Sequence, residues 1–185
     1  MSIELQFCGF NSLWGRLIPW FTQGNFRLNG RNYAISHVDA VLPPWHPKAG
    51  DLLGAHHQAG LGGRPAGVQI RPATYGATCG MKDRVRVSVP ATPAQSFAFY
   101  HFILSQVDKP YDTSAVEALV FGRLVCRDWR DWAAWYCSEL MAEGCGQSAV
   151  FRRPIAAASD KVPPPMLFVA LSTMSDIRPL EKLAA

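Results

Sequence analysis

The chain predicts an α+β fold, an antiparallel sheet packed against helices, in a single domain spanning residues 1–185. Three observations carry this. Short alternating segments bounded by Gly, Pro or Asn fill the first half, segments at helical spacing fill the second, and the 185 residues, 49% of them hydrophobic, suffice for one core with no composition shift that marks a linker.

The elements follow in order. Ile3 to Phe7 alternates like a strand. From Asn11 to Thr22 the apolar residues Leu13, Trp14, Leu17, Ile18, Trp20 and Phe21 have roughly helical spacing, with Asn11 or Ser12 as cap and Gly24 beyond the end. Pro19 lies inside, and the helix is expected to stop before it. Ala34 to Leu42, Asp51 to His57, Val68 to Arg71 and Arg84 to Val89 read as strands of an antiparallel meander. Pro93 to Val107 is a helix capped by Thr92, Ser114 to Val125 a second, and Ser138 to Gly144 a third that begins beside Cys137. After the prolines at 163–165, Met166 to Ser172 is apolar and is expected to return as a buried strand.

Composition narrows the function classes. Lys and Arg number 18 against 14 Asp and Glu, with no basic tract longer than a pair, so no nucleic-acid partner is expected. Five cysteines, at 8, 79, 126, 137 and 145, form no CxxC pair and suit a reducing compartment better than a disulfide framework. The amino terminus has neither a basic leader nor a long apolar stretch, and no window is long enough to span a membrane. The expectation is a protein without a signal peptide or integral membrane segment, cytoplasmic as synthesised.

Chemistry concentrates at two places. Trp135-Tyr136-Cys137-Ser138-Glu139-Leu140 puts a cysteine where an aromatic segment turns into a helix. Unpaired N–H groups and the helix dipole favour a thiolate there. Ser36-His37-Val38-Asp39 puts a histidine at the head of a strand, the base such a thiolate needs. Glu139 suits a helix amino terminus and is assigned to the helix. Cys8, Cys79, Cys126 and Cys145 have no comparable setting and read as core residues.

The hairpin around the histidine can be placed in register. If strands 36–42 and 51–57 pair across the loop Pro43 to Gly50, Leu42 faces Asp51 and His37 faces His56. His56 then becomes the candidate orienting group for His37, fixing its tautomer; a slip of one residue would offer His57 or Ala55. No Cys or carboxylate stands at zinc-like spacing from His37, His56 and His57, so neither a metal nor another cofactor is expected. Trp129, Trp132, Trp135 and Tyr136 lead into the cysteine, as core residues by their three-residue recurrence or as walls of an apolar pocket.

With the histidine first, the cysteine last and strands between, the sequence resembles the circularly permuted branch of the NlpC superfamily of papain-like cysteine hydrolases, which includes YiiX-like proteins and the lecithin-retinol acyltransferase group. The residues that carry the likeness are Ser36-His37-Val38-Asp39-Ala40-Val41, Leu52-Leu53-Gly54-Ala55, Gly67-Val68-Gln69-Ile70-Arg71-Pro72, Lys109-Pro110-Tyr111-Asp112 and Tyr136-Cys137-Ser138-Glu139-Leu140. The resemblance implies a circularly permuted papain-like fold, Cys137 as nucleophile, His37 as general base and later general acid, and a backbone N–H at Cys137 in the oxyanion hole. Tyr111-Asp112 precedes a helix, where Asp is an ordinary cap.

One departure stands out. The family places a third polar residue on the strand after the histidine, and the matching segment here has Gly54. His56, another group or a water would then orient His37. The function expected is cleavage of an amide bond in a peptide or other acyl-amide substrate, with cell-wall peptidoglycan the first guess. A wall substrate would require delivery by lysis, a phage particle or a secretion machine. The alternatives are a lipid acyltransferase, thioesterase or esterase of the same fold, and a binding module that has lost catalysis.

Overall fold

The computed structural model describes residues 1–22, 24–28, 30–58, 63, 65–78, 80–121, 133–150 and 162–179. Strands β1 (Ser2–Phe10), β4 (His37–Val41), β5 (Leu52–His56), β6 (Gly67–Arg71), β7 (Met81–Pro90) and β8 (Asp176–Pro179) form one sheet in the order β6-β5-β4-β1-β7-β8. Every neighbouring pair is antiparallel. The strands β2 (Asn25–Leu28) and β3 (Arg31–Ala34) make a separate hairpin. The helices are α1 (Leu13–Phe21), α2 (Tyr75–Thr78), α3 (Pro93–Ser105), α4 (Thr113–Phe121), α5 (Cys137–Gln147) and α6 (Pro164–Ser172). The fold is mixed α+β, with an antiparallel sheet as the sequence implies.

Side chains alternate between the two sheet faces. Leu5, Phe7, Val38, Ala40, Leu53, Ala55 and Val68 share one core with Phe99 and Ile103 of α3, Leu140, Met141 and Cys145 of α5, and Leu167, Phe168 and Leu171 of α6. Val41 and Leu52 pack with Tyr75 in a second, smaller cluster. The alternation therefore commits His37 and Asp39 to the face opposite Val38 and Ala40. The β4–β5 register is the one the loop implies, with Ala40 opposite Leu53 and Val41 opposite Leu52, and the Leu42 N–H donating to the Asp51 carbonyl at 2.8 Å.

The expected caps are present. In α3 the Thr92 side chain accepts from the Gln95 N–H while the Gln95 side chain accepts from the Thr92 N–H, a full capping box, with Pro93 in the first turn. In α1 the Ser12 hydroxyl accepts from the Gly15 N–H at 3.1 Å.

Two expectations are corrected. Met166 to Ser172 is helix, not strand: Pro164 and Pro165 occupy the first turn, where a missing N–H costs nothing, and the buried Leu167, Phe168 and Leu171 share one helical face while Met166 and Val169 are exposed. A short apolar run fits either element, and the prolines decide it. Helix α1 runs through Pro19 to Phe21 instead of stopping before it. The hairpin β2–β3 and the edge strand β8 have no counterpart in the sequence reading. The far end of the helix expected to Val125 lies outside the described residues, as do Cys79, Cys126, Trp129 and Trp132. Among the described residues no helix is long and apolar enough to cross a membrane.

Candidate active site

Cys137 is the first residue of α5, with Tyr136 as the residue before the helix. Its neighbours hold it there: the Tyr136 hydroxyl and the Ser138 hydroxyl both donate to the Val162 carbonyl, at 3.2 and 2.7 Å. The helix opening is thus tied down on both sides of the sulfur. The first N–H groups of a helix have no acceptor within it, and they favour negative charge at this position. Glu139, in the same turn, is fully buried.

His37 opens β4, coded one hundred residues earlier, and lies close enough to Cys137 for the charge of the sulfur to bear on its ring. Its Nε2 lies 2.9 Å from Asp39 Oδ1. Residues two apart on a strand point the same way, so His37 and Asp39 meet on one face without distorting the backbone. Asp39 is fully buried, and its other oxygen accepts from the Tyr75 hydroxyl at 2.8 Å.

The group that orients His37 is therefore Asp39. His56 comes close, with ring centroids 4.8 Å apart, but its Nε2 points to the same Asp39 Oδ1 at 3.2 Å, in an alignment too poor for a full hydrogen bond. The sequence puts the two imidazoles on one face, as they are, and offers His56, another group or a water to orient His37; the hydrogen-bond geometry favours Asp39. Gly54 explains the arrangement: a Cβ there would overlap Asp39 Oδ1.

Electrostatics follow from this packing. Burial pulls the His37 imidazolium down, but the Asp39 and Cys137 charges outweigh it and push the ring up to about 10. Burial penalises the Asp39 carboxylate, yet His37 and His56 hold it well below the usual carboxylate range. In His56 burial dominates, and despite Asp39 it falls to about 4, so His56 is neutral near pH 7. Cys145, in the core, has its thiol pushed far up by burial alone, which leaves it inert.

Tyr111, which the sequence reads as structural, lines the same cavity as His37. Its backbone pairs with Trp135 in a parallel bridge, with the Trp135 N–H donating to the Pro110 carbonyl and the Asp112 N–H to the Trp135 carbonyl, each at 3.0 Å. That bridge carries Tyr111 to the approach of Cys137. Burial, then Cys137 and Asp112, raise its phenol well above its ordinary value and keep it a donor. Asp112 is the cap expected: its Oδ1 accepts from the Ala115 N–H and the Ser114 hydroxyl, at 2.8 and 2.6 Å. Trp135 is buried, its Nε1 donating to Gln106 Oε1 at 3.1 Å, which makes it a core residue.

A cavity of about 150 Å³ opens onto the histidine, walled by Phe10, Ile18, Ser36, His37, Tyr111 and Val116 among others. Cys137 is only 4% exposed and is not itself part of the cavity wall; His37 and Tyr111, which are, are the two wall residues it acts on electrostatically. One group of the described residues has the composition of a metal site, since the ligand atoms of His37, Asp39 and His56 lie within 4.8 Å of one another. The 2.9 Å between His37 Nε2 and Asp39 Oδ1 suits a hydrogen bond. Two ligands at ~2.1 Å from a tetrahedral ion stand ~3.4 Å apart, which is wider than this pair.

No protein-family model matches the chain, and no curated protein or solved structure matches it either. The chemical reading rests on the residues themselves.

Proposed function

We propose that this protein is a cysteine hydrolase of acyl bonds, papain-like in the circularly permuted order, that cleaves an amide in a peptide or other acyl-amide substrate. The observation that carries the reading is one grouping of residues: Cys137 at a helix start, its charge bearing on His37, and the Nε2 of His37 held by the buried Asp39.

Each member has a task. The Cys137 thiolate attacks the carbonyl carbon, and the oxyanion that forms takes hydrogen bonds from helix-start N–H groups, with the Tyr111 hydroxyl as a further donor on the cavity wall. His37, kept protonated by Asp39 and the thiolate, passes its proton to the departing nitrogen as the C–N bond breaks. A water then attacks the acyl-thioester and gives a proton to His37, and the acid leaves as the thiolate returns. Asp39 holds the ring orientation and stabilises the imidazolium throughout.

A second reading keeps the residues and changes the bond. Phe10, Ile18 and Val116 make part of the cavity wall apolar, which favours an acyl chain and hence ester cleavage or lipid acyl transfer. A retained fold without catalysis is the less favoured reading, because Gly54 leaves room for the Asp39 carboxylate beside His37.

The test is labelling with a small haloacetamide at pH ~5.5, where ordinary thiols are protonated, followed by incubation with peptidoglycan fragments and with acyl-lipid esters. Cys137 is expected to label ahead of the other cysteines, and Cys137→Ala is expected to abolish the turnover found. Turnover unaffected by Cys137→Ala removes the sulfur from the mechanism.

A further inference from the structure

Helices α1 and α4 wall the cavity at His37 from two sides. Ser12, Gly15 and Ile18 line it from α1 and its cap, and Thr113, Val116 and Glu117 line it from α4. The last three stand at i, i+3 and i+4, one face of the helix, and Ile18 packs against the buried cluster of Ala115, Val116 and Tyr136. The volume, about 150 Å³, admits a group the size of a benzene ring.

Glu117 is the unusual wall residue. It is exposed, and among the described residues the ion pairs both belong to Asp39, so the Glu117 carboxylate has no cationic partner there. Cα–Cβ bonds in a helix tilt toward its N-terminus, so the Glu117 side chain leans back over Thr113, toward the end of α4 that adjoins Tyr111. The wall's other charged groups leave it unmatched. His37 is paired with Asp39 at 2.9 Å, and the His57 imidazolium is disfavoured by burial first and then by the charges of His37 and Arg71. Phe10 and Tyr111 add aromatic rings to the same wall, and the faces of such rings attract cations.

From this geometry we infer that Glu117 is a specificity residue: it receives an ammonium group at the end of a short acyl chain, whose apolar stem lies among Phe10, Ile18 and Val116 and whose carbonyl is presented at His37. The inference deepens the hydrolase reading and rests on it for the scissile carbonyl. Along α4 the rise from Thr113 to Glu117 is about 6 Å, so a few methylenes separate carbonyl from cation. An amine suits this place better than its alternatives. A carboxylate would meet Glu117 as a like charge, and a methyl would gain nothing from it.

The experiment measures calorimetric binding near pH ~7, where alkyl amines are protonated, to Cys137→Ala, which lacks the nucleophile. The ligands are the amides of γ-aminobutyric, δ-aminovaleric and ε-aminocaproic acids, each paired with the neutral amide in which a methyl replaces the ammonium: pentanamide, hexanamide and heptanamide. In at least one pair the cation is expected to bind about fivefold or more tightly, and Glu117→Gln in the same background is expected to erase the difference. Glu117 is exposed, so the substitution is expected to leave the packing intact, which circular dichroism checks. Equal affinity within every pair, or no binding by any cation, overturns the assignment, and so does a preference that survives Glu117→Gln. The hydrolase reading is scored separately, by haloacetamide labelling of the unsubstituted protein. Cation preference without preferential labelling of Cys137 keeps the role of Glu117 and removes the hydrolase; preferential labelling without cation preference does the reverse.

Discussion

Gly54 and Asp39 compete for one volume: a Cβ built on Gly54 would overlap Asp39 Oδ1 and approach the Val38 carbonyl to 3.3 Å. The hydrogen in place of a side chain is what lets a fully buried carboxylate stand beside His37. Both neighbours on that side of the overlap are constrained, since Asp39 is held by His37 and Tyr75 and Val38 is backbone. Gly54→Ala is therefore expected to push Asp39 away from the ring, costing about 1–3 kcal/mol of stability by overpacking and reducing kcat/KM by about 10²-fold or more through loss of the base's orientation. Thermal unfolding and steady-state kinetics on the same preparation check it. Full activity in Gly54→Ala would mean that Asp39 does not position the histidine.

Much of this arrangement is legible in the chain before any coordinates. The loop from Pro43 to Gly50 sets the hairpin register, strand alternation puts His37 and His56 on one face, and the turn from Tyr136 into helix marks Cys137. Asp39 is legible too, two residues after His37 and so on the same face, but the pairing of the two strands offers His56 for the same task. A glycine opposite a buried acid was the missing signal, because an absent side chain reads as a defect until the neighbour that fills its space is known. Tyr111 could not be assigned from local pattern, since its place depends on the bridge to Trp135. Helix α6 failed for another reason: an apolar run of seven residues has no period long enough to separate helix from strand, and its prolines read as loop when they open the helix.

Asp39 should also be visible in the pH dependence of turnover. It is the charge that most strongly raises His37 against burial, with Cys137 next, and the ring stands at about 10. The active ion pair is lost when His37 gives up its proton, so kcat/KM is expected to fall as pH rises through about 10. Asp39→Asn keeps the shape and removes the charge, which moves this alkaline limb to lower pH; the limb and its displacement are read from pH–rate profiles of the two proteins. An alkaline limb at the same pH in both would assign it to a group other than His37.

The same histidines give stability a maximum in pH. His37 is raised to about 10 from an unfolded value near 6.5, so its contribution is complete below pH 6.5 and is lost as pH climbs through about 10. His56 is lowered to about 4, so the unfolded chain binds a proton that the folded one refuses, and stability falls as pH drops from 6.5 toward 4. Asp39 adds nothing to that acid flank until pH drops below its unfolded value of 3.8, since it stays ionised in both states above it. Thermal midpoints measured from pH 4 to 10 are expected to peak near 6.5, and His56→Gln, which cannot titrate, is expected to flatten the acid side while leaving the alkaline decline in place. An acid flank equally steep in His56→Gln would mean that some other group takes up the proton, and that the imidazole beside Asp39 is not held neutral by its burial.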